Sequence, residues 1–263
     1  VKEAAKYKKR NPNVKLIFDL IDLWPETMPI SKFKSLPPFQ YWKRLRDNYL
    51  NSADQIVTEC NLYHEKLPRN INRSKVHTLY LARRKGKFNP NLKVPEDKIA
   101  LCYLGSINNI IDISVIVNII EQIVQYKPVE LHVIGDGEKR DIFIKNCENA
   151  GAIVIYHGKV YEEDEKQKIF DSCHYGLNIM KDSVFVGLTM KSMDYFEAGL
   201  PIINNIHGDT WDYIEKYGIG INYRGNIIND LKLGNDYERD KVRTFFEENL
   251  STESFEKKMK SII

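Results

Sequence analysis

The amino-acid sequence predicts an α/β protein with two doubly wound domains, of which the first is incomplete. From residue 98 onward, short apolar runs alternate with amphipathic segments, which is typical of a parallel sheet covered by helices. The apolar runs are continuous rather than alternating, as expected for strands that are buried on both faces. Before residue 98 only a few such runs occur. The second half therefore predicts a complete domain and the first half only part of one.

The incomplete domain is expected to span residues 1–97. Its predicted elements are a basic helix at the start, strands at residues 14–20, 55–58 and 76–81, and a helix at residues 39–51. Two to four strands cannot form a doubly wound sheet with two covered faces, so we expect the opening strand–helix units to be missing. The chain also begins with Val rather than Met, and we expect it to be part of a longer protein. Residues 83–95, rich in Lys, Asn and Pro, are predicted to link the two domains.

The second domain is expected to span residues 98–245. Strands are predicted at residues 99–104, 129–134, 152–156, 175–180, 201–204 and 219–222. Helices are predicted at residues 110–126, 138–149, 162–171, 189–199 and 210–216. In a domain of this kind, ligands bind at the carboxyl ends of the strands.

Composition excludes several classes of function. The formal charge of +3 over 263 residues is small, so it does not indicate a nucleic-acid partner. The four cysteines are scattered without a Cys-x-x-Cys motif, which favours reduced thiols over a metal site. No apolar run reaches the roughly 18 to 20 residues of a membrane span, and no signal peptide is visible. We therefore expect a cytoplasmic protein without a bound metal or other cofactor.

The most informative segment reads Val186-Gly-Leu-Thr-Met-Lys-Ser-Met-Asp-Tyr-Phe-Glu-Ala-Gly-Leu-Pro201. It follows a predicted strand and predicts a loop, a helix that begins near Thr189 and a stop at Gly199. Free N–H groups at a helix start, with Lys191 in the first turn, form a site for a phosphate. Asp194 lies about one turn further on, where its carboxylate could accept a hydrogen bond from a sugar hydroxyl. A capped helix of any α/β domain is the alternative.

This segment resembles the donor-binding signature of family-four-type glycosyltransferases, which have the GT-B architecture of two Rossmann-like domains. The resemblance covers nearly the whole chain and is strongest from Leu101 to Asn222. It implies that the first domain is the acceptor side, that the second binds a nucleotide sugar, and that residues 246–263 form a helix that crosses back to the first domain. It also implies transfer with retention at the anomeric carbon and without a metal ion.

Several loops resemble parts of the family's donor site, although each could be an ordinary turn. Residues assigned to donor binding through this resemblance are Gly105, Ser106, Asn108, Gly135, Asp136, Gly137, His157, Gly158, Lys159, Gly187, Leu188 and Thr189. The segment 207–209 resembles a further glycine-containing loop of the family, with a structural turn as its alternative.

The sequence also departs from the family pattern. Family members commonly have an Arg and a Lys in the first loop, where this chain has Ser106, Asn108 and Asn109. Neutral donors cannot supply the charge that stabilises a departing diphosphate. Lys191 is the natural replacement cation, and its alternative is an exposed lysine on a helix surface. The first glutamate of the family's Glu-x7-Glu pattern is replaced by Val186 and the second by Asp194.

On the acceptor side, Asp22-Leu-Trp-Pro-Glu26 follows the first predicted strand. Trp24 could stack on a sugar face or pack into the core, and Asp22 or Glu26 could take a proton from the acceptor. The histidine that many relatives have before Asp22 is Ile21 here. We expect Lys191, Asp194 and Asp22 to carry the chemistry.

The predicted function is transfer of a sugar, most simply from a UDP sugar, to a glycan or polyprenyl-linked acceptor in cell-surface polysaccharide synthesis, such as capsule or O-antigen. An inactive donor-binding module that partners an active transferase is the alternative, favoured by the missing strands and the missing Arg/Lys pair. An epimerase of the same architecture fits less well, because no matching set of carboxylates and histidines is found. Aromatic and basic residues at 39–46 also predict peripheral contact with an anionic membrane, or else a core-packed helix.

Overall fold

A computed structural model describes residues 1–28, 35–90, 92–231 and 239–263. Residues 29–34 of the predicted first domain, Asn91 of the predicted linker and residues 232–238 of the predicted second domain lie outside these described residues. The chain forms two parallel sheets with helices packed around them, so the predicted α/β fold class is confirmed. Where the first domain ends along the chain stays a prediction.

The first sheet contains three parallel strands among the described residues, in the order β1-β2-β3. Its elements are α1 (Lys2–Arg10), β1 (Ile17–Leu20), α2 (Pro37–Leu50), β2 (Gln55–Thr58) and β3 (Val76–Thr78). Two short 3-10 helices, Asn61–Lys66 and Arg73–Lys75, lie between β2 and β3. The predicted third strand is shorter than expected and ends at Thr78.

The second sheet contains six parallel strands in the order β6-β5-β4-β7-β8-β9. Its strands are β4 (Ile99–Leu104), β5 (Val129–Ile134), β6 (Ala152–Gly158), β7 (Tyr175–Asn178), β8 (Ile202–Asn204) and β9 (Gly220–Asn222). Its helices are α3 (Ile113–Ile123), α4 (Arg140–Asn149), α5 (Glu163–Asp171), α6 (Met190–Glu197) and α7 (Asp209–Tyr217). The chain builds outward from β4 to β6 and then returns to place β7 on the other side of β4. A ligand site is expected at this reversal, beyond the carboxyl ends of β4 and β7.

Two predicted boundaries in this sheet were wrong for identifiable reasons. Helix α3 begins at Ile113 rather than residue 110, because the Asp112 carboxylate accepts a hydrogen bond from the Val115 amide at 3.2 Å and caps the helix there. Strand β6 continues to Gly158 through a bulge that pairs Gly158 with Ile134. His157 and Gly158 therefore belong to a strand and not to the predicted loop.

Helices α8 (Arg239–Asn249) and α9 (Thr252–Ile262) complete the described chain. Ile262 of α9 is buried together with Val57 and Leu79, so the end of the chain packs against the first sheet. Another apolar cluster joins residues of both sheets, including Leu50, Ile56, Leu188 and Met193. Burial of apolar area therefore stabilises the arrangement of the two sheets as well as each one.

Within the described ranges, none of the helices combines the length and apolar character needed to cross a bilayer. All four cysteines are buried and unbridged.

Candidate active site

A cleft of about 520 Å³ lies between the two sheets, at the reversal of strand order in the second one. The first sheet's side contributes Asp22, Thr27, Glu59 and Tyr63. The second contributes residues that follow β4, residues that follow β7 and the start of α6, namely Tyr103, Leu104, Gly105, Ser106, Asn108, Ile110, Ile111, Met180, Val184, Phe185, Val186, Leu188, Thr189, Met190 and Lys191. The location matches the one that strand topology predicts for a ligand.

A groove of about 610 Å³ beside α3 and α4 is somewhat larger. Its lining comes from the second sheet's side alone, and its polar side chains are all at least partly exposed to solvent. Chemistry between two substrates needs a place where groups from both sides meet. We therefore assign the candidate site to the cleft.

The start of α6 forms one wall of the cleft and is held in place by Thr189. The Thr189 hydroxyl accepts a hydrogen bond from the Ser192 amide at 3.2 Å and donates to the Asn178 side chain at 2.7 Å. The amides of Met190 and Lys191 have no acceptor in the described chain. These N–H groups and the helix dipole favour an anion at this position.

Lys191 is the most unusual side chain in the cleft, because only 8% of it is exposed. Its ammonium lies 4.8 Å from the centroid of the Tyr103 ring. No carboxylate or other hydrogen-bond acceptor contacts it among the residues that the structure describes. Burial lowers the pKa of Lys191 to about 7. The interpretation of Lys191 as an exposed surface lysine was therefore wrong, since it is a buried cation without an anionic partner.

The first loop of the second sheet contributes Gly105, Ser106 and Asn108 to the cleft. Gly105 has a φ of 123° and open space where a Cβ would be, so its backbone can approach a ligand closely. The Asn108 side chain accepts from the Ile110 amide at 3.0 Å, which shapes the loop itself.

The Gly135-Asp136-Gly137 loop lies behind the first loop and outside the cleft lining. A Cβ on Gly135 would clash with the carbonyl oxygen of Gly105, and a Cβ on Gly137 would clash with that of Ile107. The Asp136 carboxylate accepts from the Gly137 amide at 2.8 Å. These glycines let two loops pack closely, so the described contacts give them a structural role.

His157, Gly158 and Lys159 also lie outside the cleft lining, at the end of the edge strand β6. The His157 ring stacks on His132 with centroids 5.2 Å apart, and their nitrogens are 2.9 Å apart. Desolvation, followed by the neighbouring His132, lowers the pKa of His157. The structure does not bring these residues together with Lys191.

Asp194 also lies outside the cleft lining. Its carboxylate accepts from the Arg83 guanidinium at 2.8 Å. A hydrogen bond from Asp194 to a sugar would have to coexist with this ion pair, which the sequence did not predict.

On the first sheet's side, Asp22 lines the cleft but Trp24 and Glu26 do not. Trp24 is 51% exposed, so its alternative role in the core was wrong. Glu26 forms ion pairs with Lys43 and with the buried Arg46, which hold the pKa of its carboxyl below the usual range despite desolvation. A carboxylate bound in this way is a poor base for an acceptor.

Two side chains on the first sheet's side were missed from the sequence. Glu59 and Tyr63 line the cleft, and the Tyr63 hydroxyl donates to Glu59 at 3.3 Å. Desolvation, followed by the charges of Asp22 and Asp19, raises the pKa of Glu59. Its position directly after β2, at the carboxyl end of a parallel strand, is the signal that could have identified it.

The two sides of the cleft are joined by Asp209 at the start of α7. Its buried carboxylate accepts from the amides of Asn61 and Leu62 at 2.7 and 2.9 Å and from the Tyr80 hydroxyl. Gly187 lies in this contact, since a Cβ there would meet Asp209 and Cys60. Asp209 and Gly187 thus hold the cleft together rather than line it.

In the described part of the chain, no group of three or more His, Cys, Asp or Glu side chains is placed to hold a metal ion.

Comparison with known proteins shows which proteins this chain and its fold resemble. Residues 98–221 match the family model for glycosyl transferases group 1, and no curated protein sequence matches the chain at a significant level. The fold resembles a TarM variant from S. aureus, solved with fondaparinux, alpha-GlcNAc-glycerol and UDP, at a TM-score of 0.64 and 14% identity over 86% of this chain and 46% of that one. This chain therefore spans less than half of TarM.

Two further structures are matched over nearly all of this chain. The lipopolysaccharide outer core galactosyltransferase WaaB has a TM-score of 0.64 and 15% identity, over 99% of this chain and 78% of that one. HepE from Anabaena, in complex with UDP, has a TM-score of 0.67 and 12% identity, over 98% and 74%. The predicted resemblance to GT-B glycosyltransferases, with a fold of two Rossmann-like domains, is confirmed. The incompleteness of the first domain stays a prediction.

Proposed function

We propose that this chain is a glycosyltransferase that moves a sugar from a nucleoside diphosphate sugar, most simply a UDP sugar, to a glycan or lipid-linked acceptor of cell-surface polysaccharide synthesis. The observation that carries the proposal is the buried, unpartnered Lys191 at the start of α6. Burying a charge without a partner is costly, so proteins seldom retain one without a ligand to pair with it. The match of residues 98–221 to group 1 glycosyl transferases supports this assignment.

The diphosphate is assigned to the second sheet's side of the cleft. Lys191 and the free amides of Met190 and Lys191 offer one positive charge and two donors at the same place. Negative charge grows on the diphosphate as the bond to the sugar breaks, and fixed donors in a buried site stabilise that charge. Ser106 and Asn108 add only neutral donors. Lys191 is therefore the main source of charge stabilisation in this proposal.

The donor is proposed to carry uridine, because UDP is bound in the matched TarM and HepE structures. The acceptor is placed on the first sheet's side, where Asp22 lines the cleft. Retention of configuration at the anomeric carbon is proposed from the family resemblance. Proton NMR of the product, which reports whether its new glycosidic bond is α or β, tests it. Asp194 stays a proposed contact for a sugar hydroxyl, and its carboxylate would have to bind Arg83 and the sugar at the same time.

Calorimetric titration of UDP and of uridine tests the donor site. Lys191→Ala should weaken UDP binding by at least tenfold, because a hydrogen bond to a charged group contributes about 1.5–3 kcal/mol. Uridine binding should change little. Lys168→Ala, which removes an exposed lysine on α5, is the matched control. Equal losses for UDP and uridine, or no loss for either, would contradict the assignment of Lys191 to phosphate.

An inactive donor-binding module remains the second candidate. The three-stranded first sheet and the neutral loop at residues 105–109 favour it. A radiolabelled UDP-sugar transfer assay with bacterial membrane extracts as acceptor separates the two. Transfer that disappears in Lys191→Ala supports the enzyme, whereas UDP binding without transfer supports the module.

Contact with the inner face of a bacterial membrane is also proposed, on a revised surface. Within residues 39–46, Lys43 and the buried Arg46 are ion-paired with Glu26, so this proposal does not rely on them. The exposed residues Trp42 and Arg44 remain, and α2 contacts the basic helix α1. Each cation near an anionic surface contributes about 1 kcal/mol.

Sedimentation with vesicles tests this contact. Arg44→Glu should reduce binding to vesicles that contain anionic lipid, and added salt should reduce it too. Arg224→Glu, on the second sheet's side, changes the net charge equally and should have no effect. Equal sedimentation of all three proteins would contradict the membrane proposal and leave the donor site untouched.

A further inference from the structure

The first sheet's side of the cleft carries two carboxylates that face the same cavity as Lys191. Asp22 follows β1 and Glu59 follows β2, and the parallel pairing of these strands brings both residues to one edge of the sheet. The donor-side wall is cationic and this wall is anionic. The cleft therefore has two chemically distinct halves.

Glu59 is held in this wall by its neighbours. Its amide donates to the Leu20 carbonyl at 3.3 Å, and its Oε2 accepts from the Tyr63 hydroxyl at 3.3 Å. Tyr63 is itself buried and stacks on Phe185 from the other side of the cleft. No donor to Glu59 Oε1 is found within the described ranges. The Tyr63 hydroxyl also lies 3.3 Å from the Ile21 carbonyl oxygen, so Oε2 shares this donor and Oε1 is left to accept a further hydrogen bond.

A pair of carboxylates alone does not define a binding site. Here a second, independent feature points to a ligand, since the unpartnered Lys191 is more than nine-tenths buried and lines the same cavity. The opposite charges are not paired with each other in the described structure. Each half of the cavity is left to bind its own ligand group.

We infer that Glu59, with Asp22, forms an acceptor subsite that binds the hydroxyl groups of a neutral sugar and rejects a sugar carrying phosphate at that position. The inference rests on the proposed function, because it presupposes a donor on the Lys191 side. Hydroxyls donate well to carboxylates, whereas an anion next to two carboxylates is repelled. Glu59 is a binding residue in this account. It replaces Glu26, whose carboxylate is occupied by Lys43 and Arg46.

Saturation-transfer NMR at saturating UDP tests the subsite with defined probes, because bound UDP occupies Lys191 and prevents a probe's phosphate from binding there. The neutral probes are methyl glycosides of glucose, galactose and N-acetylglucosamine in both anomeric forms, and the anionic probe is glucose 6-phosphate. The full chain should bind at least one neutral glycoside and bind glucose 6-phosphate at least tenfold more weakly. Glu59→Gln should weaken binding of the neutral glycoside at least tenfold. It should also reduce the difference in affinity between the neutral glycosides and glucose 6-phosphate.

Glu65→Gln is the matched control, because Glu65 is an exposed carboxylate on the 3-10 helix that carries Tyr63. It should behave as the unaltered chain. Asp22→Asn is the second variant, and because Asp22 is exposed it should fold even if Glu59→Gln does not. A structural role for Glu59 would lower the melting temperature without changing selectivity between neutral and anionic probes.

UDP titration of the same samples separates failure of the acceptor subsite from failure of the proposed function. The acceptor subsite alone is overturned if the chain binds UDP but no glycoside. It is also overturned if the chain binds UDP and glycoside binding is the same in Glu59→Gln and Asp22→Asn as in the unaltered chain. Absence of UDP binding overturns the proposed function itself. Glucose 6-phosphate binding as tight as that of the neutral glycosides would likewise overturn the subsite.

Discussion

Replacing Lys191 by methionine should stabilise the ligand-free protein while weakening its affinity for a nucleoside diphosphate by at least tenfold. Methionine fills nearly the same space as the aliphatic part of lysine and has no charge to desolvate. In the folded chain Lys191 is buried beside Tyr103 without an ion-pair partner among the described residues. The charge is therefore a cost to folding that only a bound anion offsets.

The size of the effect follows from the pKa. Burial lowers the pKa of Lys191 from 10.5 to about 7, and each pKa unit corresponds to about 1.4 kcal/mol. Burying the charged form therefore costs about 5 kcal/mol of folding free energy. Loss of the contact with the Tyr103 ring offsets about 1–2 kcal/mol of the gain. A net stabilisation of about 3 kcal/mol is expected at neutral pH.

The pH dependence gives the sharper test. Below the folded-state pKa of about 7, the lysine is charged in both the folded and the unfolded chain, so the full gain of Lys191→Met is present. Above the folded-state pKa of about 7, the folded lysine is neutral while the unfolded one stays charged up to about pH 10.5. The unfolded chain then binds more protons, and stability of the unaltered protein rises with pH. The gain from the substitution should shrink by about 1.4 kcal/mol per pH unit.

Urea denaturation of both proteins at pH 6, 8 and 9.5 measures this difference, with the exposed Lys168→Met as control. A destabilised Lys191→Met variant would contradict the reasoning. So would a gain that does not depend on pH.

Three further predictions follow from the same structure. UDP binding should restore the charge of Lys191. At pH 8, calorimetry in buffers of different ionisation enthalpy should therefore show uptake of about 0.9 proton per UDP, and Lys191→Ala should abolish this uptake. Absence of proton uptake would mean that the phosphate binds elsewhere. Asp209→Ala should lower the free energy of unfolding by about 3 kcal/mol, because three donors lose a buried acceptor, while Asp212→Ala on the same helix should change it by less than about 0.5 kcal/mol. UDP affinity should be unchanged by a chelator of divalent ions, and loss of binding that manganese or magnesium restores would contradict the expected metal independence.

Sequence reasoning located the strands well and the side-chain partners poorly. Strands β4 and β5 were predicted with their observed bounds, because their continuous apolar runs are what a strand buried on both faces requires. The burial of Lys191 could not be predicted, because it depends on contact with Tyr103, which lies in a strand about 90 residues earlier in the chain. The ion pairs of Glu26 with α2 and of Asp194 with Arg83 likewise arise only when distant segments pack.

The glycine-rich loop at residues 135–137 shows a different limit. Its sequence is equally compatible with ligand contact and with close packing, and the structure places the glycines against the neighbouring loop. Glu59 was not predicted from the sequence, although it follows β2 as Asp22 follows β1 and lies at the same edge of the sheet.

Hydrogen exchange with and without UDP tests most directly whether the cleft between the two sheets is the donor site. Mass spectrometry of the full chain should show slower exchange on adding UDP in peptides that cover residues 105–111 and 186–191, and Lys191→Ala should need at least tenfold more UDP for the same protection. Protection confined to the groove beside α3 and α4, or no protection at saturating UDP, would contradict the account.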